Sequence, residues 1–292
     1  MKTAFSLFTS LVLLCVFYLN AQASEVLRQY DIGDFEIFAI TDAHTTMEKN
    51  LLPEIDKYPE FLGVFENGPA PAVDQTFFFK NGAHNILVDS GWGTDQKIKG
   101  NTVAQLAEMG IHPDDISDIL LTHLDIDHIG GLIKNGRPVF PRAILWISKP
   151  EFQAWSDGNV PGRGASSIKL AQAVLAAYKD RIRTFNFGEE ILPGILTIDA
   201  SGHTPGHTAF DIKFGNDKMT IAGDLLHIAQ VQLLKPELGT VYDGNPQKAA
   251  ATRKHLLERA AKEKALFAGM HFPMISDVRQ IPDGGFVMKQ AR

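Results

Sequence analysis

The sequence predicts a mixed α/β fold in which two β-sheets are packed between helices. Two observations support this prediction. Short runs of apolar, β-branched and aromatic residues recur along the chain, and stretches with helical periodicity lie between the later runs. Because no repeat, low-complexity segment or Pro/Gly/Ser-rich linker divides the sequence, we expect residues 24–292 to form a single domain.

The predicted strands are short and are separated by turn residues such as Asn81-Gly82. In chain order they are Phe35–Ile40, Thr76–Phe79, Asn85–Val88, Asp118–Thr122, Ala143–Ile147, Ile195–Ile198, Thr208–Phe214, Lys218–Ile221 and Ala265–Ala268. The predicted helices have apolar residues on one face; Gly110 ends the first helix and Asn245 caps the last. They span about Thr102–Met109, Pro150–Ser156, Ser166–Ile182 and Pro246–Lys264. The proline-rich residues 53–75 and residues 157–166 are predicted to be surface loops that edge a pocket.

The first 23 residues have the three parts of a secretory signal peptide. Lys2 supplies the positive charge, Phe5–Leu19 is the apolar run, and Ala21-Gln22-Ala23 is the small-x-small cleavage site. The apolar run is shorter than the ~20 residues that a membrane-spanning helix needs. We therefore expect cleavage after Ala23, export to the periplasm or the medium, and no membrane association afterwards.

The composition of the mature chain restricts its chemistry. Cleavage removes Lys2, which changes the formal net charge from -6 to -7, and it also removes Cys15, the only cysteine. Any metal ligands are then expected to be His, Asp or Glu, and no disulfide bond can form. A mildly acidic balance without a basic run argues against nucleic acid and anionic lipid as partners.

The segment Leu121–Gly131, LTHLDIDHIGG, carries two histidines and two aspartates directly after a predicted buried strand. The side chains at 123, 125 and 127 alternate with apolar residues, so they can converge on one side, and His128 follows at once. Ligand sites tend to lie at the carboxyl ends of strands in α/β sheets. Imidazole and carboxylate ligands at this density indicate a divalent ion such as zinc, manganese or iron, whereas a solvated acidic turn would not need the flanking Leu124 and Ile126.

Three later motifs also place His or Asp after a predicted strand. They are SGHTPGHTAF with His203 and His207, TIAGDLLH with Asp224, and LFAGMHFPMI with His271. A single buried histidine is more often a hydrogen-bonded core residue than a metal ligand. Four strand ends that carry such groups indicate one site along the rim of a sheet.

Taken together, these motifs resemble the metallo-β-lactamase fold hydrolases, and most closely the methyl parathion hydrolase and lactonase branch. The quoted segments are THLDIDH from Thr122, GHT from Gly202, Gly223-Asp224 and HFP from His271, together with the early Gly33–Asp42 strand and LVDSG from Leu87. The resemblance covers nearly the whole mature chain. It implies an αβ/βα four-layer sandwich with two mixed sheets flanked by helices and a two-metal site on the rim.

The resemblance also implies a ligand set. One ion would be held by His123, Asp125 and His203, a second by Asp127, His128 and His271, and Asp224 would bridge both. Zinc is the first expectation for the two divalent ions, with manganese or iron as alternatives. Asp89 corresponds to the family's aspartate that ties the ligand loop by hydrogen bonds, and His207 is expected to be structural.

Residue 125 departs from the family pattern, because most of the family has His there. With two divalent ions, a hydroxide, Asp127 and Asp224, an aspartate at 125 makes the site formally neutral, one unit less positive than a histidine would. This charge count favours neutral substrates over anionic ones. The sequence leaves open whether Asp125 ligates a metal or falls short of it and leaves a mononuclear site.

The implied activity is hydrolysis of a small neutral ester or lactone by a hydroxide shared between the two ions. Asp127 would accept and pass on a proton. His227 lies three residues after Asp224, near where some lactonases of the superfamily carry a substrate-facing tyrosine. It would hydrogen-bond the developing oxyanion or simply line the rim. Trp155 is a candidate for an apolar pocket wall, with core packing as the alternative.

Competing interpretations stay open at the level of sequence. An organophosphate (phosphotriester) hydrolase is the main alternative within enzymes. A different class is a metal-binding protein without activity, in which Asp125 has damaged the site. The sequence does not decide whether the chain forms a homodimer.

Overall fold

A computed structural model of the chain describes residues 27–32, 35–215 and 217–291. In chain order its strands are β1 (Leu27–Ile32), β2 (Phe35–Met47), β3 (Ala70–Asn81), β4 (His84–Val88), β5 (Asp118–Leu120), β6 (Ile133–Lys134), β7 (Arg137–Pro138), β8 (Ile144–Ser148), β9 (Ile182–Phe185), β10 (Glu190–Leu192), β11 (Ile195–Asp199), β12 (Thr208–Phe214), β13 (Asp217–Ile221), β14 (Leu266–Ala268), β15 (Ser276–Gln280) and β16 (Phe286–Gln290). The predicted signal peptide lies outside the described residues.

The α-helices are α1 (Thr102–Glu108), α2 (Ile126–Ile129), α3 (Lys149–Asp157), α4 (Ala165–Ala177), α5 (Ala229–Gln232) and α6 (Pro246–Glu263). Short 3-10 helices lie at Lys49–Leu51, Ile55–Lys57, Pro59–Phe65, Pro113–Asp115, Gly130–Leu132, Lys179–Arg181 and Gly223–Leu225. Within the described residues, none of these helices is both long and apolar enough to cross a lipid bilayer.

Two large sheets form the centre of the molecule. The first has the order β1-β2-β3-β4-β5-β8-β9, and the second has the order β10-β11-β12-β13-β14-β15-β16. The first sheet begins as an antiparallel meander and continues as parallel strands from β4 onwards. In the second sheet the pair β13 and β14 is parallel and the other pairs are antiparallel. Strands β6 and β7 form a separate hairpin.

The buried residues show that the layers are stacked as helix, sheet, sheet and helix. Phe77 and Phe79 of β3 pack between the sheets against residues such as Phe210 of β12. Phe78 points to the other face of the first sheet and packs beneath α3 and α4. Consecutive phenylalanines are buried because both faces of the sheet are covered. Helix α6 covers the outer face of the second sheet through residues such as Leu257. This arrangement confirms the predicted αβ/βα sandwich.

Some predicted boundaries were wrong. Strand β2 continues beyond Ile40 to Met47, and residues 70–75, predicted as loop, form the first half of β3. Both extensions contain polar residues, such as Asp42 and Asp74, which interrupt the apolar pattern although they are buried. The third predicted helix ends at Ala177 rather than Ile182, because Ile182 pairs with Leu145 of β8 and begins β9. The C-terminal strands β15 and β16 were not predicted.

Candidate metal centre

The predicted site residues meet on one rim of the two sheets. His123 follows β5, His203 follows β11, Asp224 follows β13 and His271 follows β14. Their side chains come close enough to form candidate ion-binding groups whose donor atoms lie within 4.8 Å of one another. The members are Asp127, His128, Asp224 and His271 in the first group and His123, Asp125 and His203 in the second. These are the two ligand sets that the resemblance implies, and Asp224 lies between them.

Asp89 fixes the loop that carries the first ligands. Its backbone is left-handed, with φ at 57°, which turns the chain sharply after β4. Its carboxylate accepts hydrogen bonds from the Thr122 amide at 2.8 Å and the Thr122 hydroxyl at 2.7 Å. The same carboxylate lies 2.7 Å from His128 Nδ1. The structure therefore places Asp89 where it was expected, as the residue that ties down the ligand loop.

Each of the four imidazoles in these two groups is held through Nδ1 while its Nε2 is directed at the centre. The Nδ1 contacts are to Thr122 Oγ1 for His123 (3.0 Å), Asp89 Oδ2 for His128 (2.7 Å), Asp243 Oδ1 for His203 (3.3 Å) and Asp74 Oδ1 for His271 (2.9 Å). An oxygen behind the ring fixes the tautomer and raises the basicity of the inward nitrogen, as in metal sites. Asp74 and Asp243 were not identified from the sequence.

Asp224 lies at the centre of the site and is close to all four imidazoles. Its Oδ2 lies 2.8 Å from His271 Nε2, 3.5 Å from His203 Nε2 and 3.7 Å from His123 Nε2, and its Oδ1 lies 3.2 Å from His128 Nε2. Asp127 Oδ2 lies 3.5 Å from His128 Nε2 and 3.7 Å from His271 Nε2. Carboxylate and imidazole donors therefore converge from several loops around Asp224.

The donor set fits a divalent cation. His123 Nε2, His128 Nε2 and Asp224 Oδ1 are buried and have no hydrogen-bond partner among the described residues. Leaving buried polar atoms unpaired costs about 1–3 kcal/mol each, and a bound cation would satisfy them. Mixed nitrogen and oxygen donors suit zinc, manganese or iron.

Without a cation, the acidic and basic groups shift one another strongly. Burial would raise the pKa of Asp224, but the nearby His128 and His271 lower it well below its ordinary value. Burial would lower the pKa of His128 and of His271, but the charge of Asp224 raises both well above the ordinary value. For His203, hydrogen bonds to Asp125 and Asp243 outweigh burial and raise the pKa to about 9.

Asp125 is engaged by an arginine that sequence reasoning missed. Arg163 Nε donates to Asp125 Oδ1 at 2.8 Å, and Nη2 donates to Asp125 Oδ2. The burial of Asp125 is outweighed by this hydrogen bond, which lowers the carboxyl pKa well below its ordinary value. The charge count made from the sequence omitted this cation, which offsets the charge of Asp125 in this structure. Arg163 lies in the 157–166 loop that was expected to edge the pocket.

His227 is buried beside the centre rather than pointing freely into it. Its Nε2 lies 3.3 Å from Asp224 Oδ2, and its Nδ1 has no hydrogen-bond partner among the described residues. Burial lowers its pKa to about 4, so the ring is neutral near pH 7. A neutral ring has one N–H, and in this geometry that N–H donates to Asp224. His227 also forms a third candidate ion-binding group with His203 and Asp224.

A cavity of about 370 Å³ opens onto the centre and is lined by Asp125, Asp127, Arg163, His203, Asp224, His227 and His271. Met47, Trp92 and Ile98 contribute apolar wall. Trp155 does not reach the cavity; it is buried in the core between the first sheet and its helices, and its indole N–H donates to Glu151 at 2.6 Å. The prediction that Trp155 forms part of the pocket wall was therefore wrong, and its alternative, core packing, is confirmed.

His207 has the structural position expected for it. Its Nδ1 lies 2.9 Å from the Ala200 carbonyl, and its Nε2 accepts the Asp224 amide at 3.0 Å. Burial and nearby His123 lower its pKa well below the ordinary value, which keeps the ring neutral and able to accept. It therefore supports the backbone of Asp224 rather than the ion.

The chain is similar to several solved structures. It matches a structure described as hydrolase AbOPH in the beta-lactamase superfamily with a TM-score of 0.83 and 28% identity, over 91% of this chain and 97% of that one. AidC, described as a dizinc quorum-quenching lactonase, matches with a TM-score of 0.82 and 25% identity over the same shares.

Curated sequences give weaker and partial matches. An N-acyl homoserine lactonase from a Bacillus species is 23% identical over 177 residues, which is 58% of this chain and 65% of that protein. A probable metallo-hydrolase of Mycobacterium tuberculosis is 24% identical over 49% of this chain and 53% of that protein. The chain thus spans between about half and two thirds of the length of these relatives.

The family model of the metallo-beta-lactamase superfamily matches residues 73–271, a stretch that begins just before Asp74 and ends at His271. This stretch contains every residue of both ion-binding groups. With its sandwich fold, its rim of histidines and aspartates and this match over more than half of its length, the chain belongs to the metallo-beta-lactamase superfamily.

Proposed function

We propose that this protein is an exported metal-dependent hydrolase that cleaves a small neutral ester or lactone. The observation that carries the proposal is the group of Asp127, His128, Asp224 and His271, whose donors converge at the floor of a cavity open to small molecules. Two similar proteins, AidC and the Bacillus enzyme, are described as lactonases, which supports this substrate class.

A divalent cation held by this group would supply Lewis acidity, which would polarise a carbonyl oxygen and lower the pKa of a water. The protein's own contribution is to hold the donors in place before the substrate arrives. Asp74 and Asp89 orient His271 and His128 from behind, and His207 fixes the backbone of Asp224. Donors that are already oriented need no reorganisation at the moment of reaction.

Asp127 is the residue suited to carry the proton. Its side chain is 17% exposed and lines the cavity, whereas Asp224 is 4% exposed. Burial would raise the pKa of Asp127, but the positive field of His128 lowers it, so the group is ionised at neutral pH. An ionised carboxylate at the cavity wall can take a proton from the attacking water and pass it to the leaving oxygen.

The cavity favours a compact substrate with an apolar part. Its volume of about 370 Å³ lies near the lower end for small-molecule sites, and Met47, Trp92 and Ile98 offer an apolar surface beside the polar floor. The Arg163 guanidinium also lines this space and can donate to a carbonyl oxygen or to the carboxylate that hydrolysis releases. These contacts suit an acyl ester or a lactone ring.

The proposal is tested with purified, zinc-loaded protein and a panel of an acyl-homoserine lactone, a δ-lactone, an aryl ester and an aryl phosphotriester. We expect ring-opened or free acid products by mass spectrometry from at least one carbonyl substrate. Asp127→Asn should reduce the rate by about 100-fold or more, and the matched variant Asp114→Asn, at an exposed aspartate, should not. Turnover of the phosphotriester alone would point to the alternative hydrolase class, and no turnover in the panel would contradict the proposal.

Export is a separate part of the proposal and rests on residues 1–23. Expression of the full chain in a bacterial host with a secretory pathway should give a mature protein that begins at Ser24. The intact mass of the periplasmic or secreted protein checks this. A protein that keeps its first 23 residues in the cytoplasm would contradict export without affecting the proposed chemistry.

A further inference from the structure

The guanidinium of Arg163 contacts two of the three side chains that would hold one of the two ions. It donates from Nε to Asp125 at 2.8 Å and from Nη2 to Asp125 Oδ2, and Nη2 lies 3.0 Å from His203 Nε2. We propose that Arg163 replaces one of the two metal ions, so that each chain binds a single divalent ion. This ion belongs to the group of Asp127, His128, Asp224 and His271.

The guanidinium and a metal ion exclude each other at His203. The inward nitrogen of an imidazole has one lone pair, which either accepts an N–H, carries a proton or binds a metal. Bonds from zinc to imidazole nitrogen and carboxylate oxygen are about 2.0–2.2 Å long. His203 Nε2 and Asp125 Oδ2 lie 3.2 Å apart and both contact Nη2 of Arg163, so an ion that bridges them on that side would occupy the position of Nη2. Arginine cannot relieve this conflict by losing its proton.

Arg163 is held firmly in this position. Its side chain is 7% exposed, and Nη1 donates to the carbonyl of Tyr242, which also lines the cavity. The loop also closes on itself through the Arg163 amide, which donates to the Val160 carbonyl at 3.2 Å. Displacing the guanidinium would break charge-assisted hydrogen bonds to Asp125 and leave that carboxylate mostly buried without its cation. Such charge-assisted hydrogen bonds are among the stronger ones in proteins.

The other group has no competing cation. His128 Nε2 and Asp224 Oδ1 are without hydrogen-bond partners among the described residues, and Arg163 makes no hydrogen bond to Asp127, His128 or His271. These donors are therefore free for an ion. The ion pair of Asp125 and Arg163 takes the place of an imidazole and a metal at the other group.

The test is metal stoichiometry, which needs no turnover. Protein stripped with a chelator, reloaded with excess zinc and desalted should contain one zinc per chain by mass spectrometry of the metal. A cobalt(II) absorption titration should break at one equivalent. The double variant Asp125→His/Arg163→Ala, which removes the guanidinium and supplies the family's imidazole, should bind two. Arg183→Ala, at an exposed arginine, should still bind one.

Single variants locate the ion. We expect His271→Ala to lose zinc almost completely and His123→Ala to keep about one. Two ions in the unaltered chain would overturn the inference, whether or not His227→Ala then loses one of them. Zinc that is lost in His123→Ala and kept in His271→Ala would also overturn it. So would a double variant that is folded by circular dichroism and still binds one ion.

The inference rests on the proposed function only in requiring that a metal binds. Different experimental results would contradict the replacement by Arg163 and the proposed function. One ion with no hydrolysis of any ester would contradict the proposed function alone. Two ions with hydrolysis would contradict the replacement by Arg163 alone. A chain that binds no divalent ion would overturn both.

Discussion

At the scale of single residues, the site depends on partners that stand behind the ligands. Asp74 accepts hydrogen bonds from the indole of Trp92 at 2.6 Å and from Thr45 at 3.3 Å, and it lies 2.9 Å from His271 Nδ1. The carboxylate therefore sets the direction in which the His271 ring points. It also connects the ligand to Trp92 in the cavity wall.

Asp74→Asn should weaken zinc binding about 10–100-fold, the usual effect of removing the carboxylate behind a metal-bound histidine. The amide keeps the size of the side chain but loses the negative charge that makes His271 Nε2 a stronger metal ligand. Competition with a chromophoric zinc chelator measures the change. Asp114→Asn, at an exposed aspartate, is the control. An unchanged affinity in Asp74→Asn would show that the ring is held by packing alone.

At the scale of elements, helix α3 joins the two loops that carry His123 and His203. Its residue Glu151 is buried and accepts hydrogen bonds from the Leu124 amide at 3.1 Å, the Thr204 hydroxyl at 2.7 Å and the Gly206 amide at 2.8 Å. Ser148, directly before the helix, caps its first turn with its side chain and also donates to the Gly206 carbonyl at 2.7 Å. One helix thus sets the spacing of two ligand loops.

Glu151→Ala should lower the free energy of unfolding by at least about 2 kcal/mol, because each buried donor left without an acceptor costs about 1–3 kcal/mol. Glu151→Gln retains the shape and one acceptor oxygen, so its loss should be smaller. Urea denaturation of the metal-free proteins measures both. Glu258→Ala on α6, where the side chain is 43% exposed, serves as a control. Equal stability of Glu151→Ala and the unaltered protein would contradict the bridging role.

The elements also show the limits of prediction from sequence. The strand predicted at Asn85–Val88 was placed within a residue, since Ile86, Leu87 and Val88 are consecutive apolar residues that are all buried. The extensions of β2 and β3 were missed because their polar residues, Asp42 and Asp74 among them, find buried partners from distant segments. Local pattern cannot indicate a partner that lies 60 residues or more away in the chain.

At the scale of the whole molecule, the two sheets bring ligands from four separate segments to one rim, and the charges of these ligands couple stability to pH. In the metal-free chain the pKa of His203 is raised from 6.5 to about 9. Its stabilising contribution is present below pH 6.5 and is lost as the pH rises through 9. The pKa values of His128 and His271 are raised in the same direction.

The metal-free protein should therefore become less stable between pH 6.5 and 9, whereas metal binding should become tighter, because ligation needs deprotonated imidazoles. The difference in Tm between zinc-loaded and metal-free protein should widen over this range. Calorimetry near pH 7, in buffers with different ionisation enthalpies, should show proton release on zinc binding. A Tm difference that narrows with rising pH would contradict the assignment of His128 and His271 as ligands.

The sequence by itself determined the type of site and most of its members. The histidines and aspartates follow strands, and strand ends at one edge of a sheet must meet. The tertiary structure alone decided what stands behind and beside them. Asp74 reaches His271 across 197 residues, and Arg163 reaches Asp125 across 38. Neither contact follows from local periodicity, because both depend on how the loops are packed. The role of Asp125 therefore depends on its contact with Arg163, which its position in the motif does not reveal.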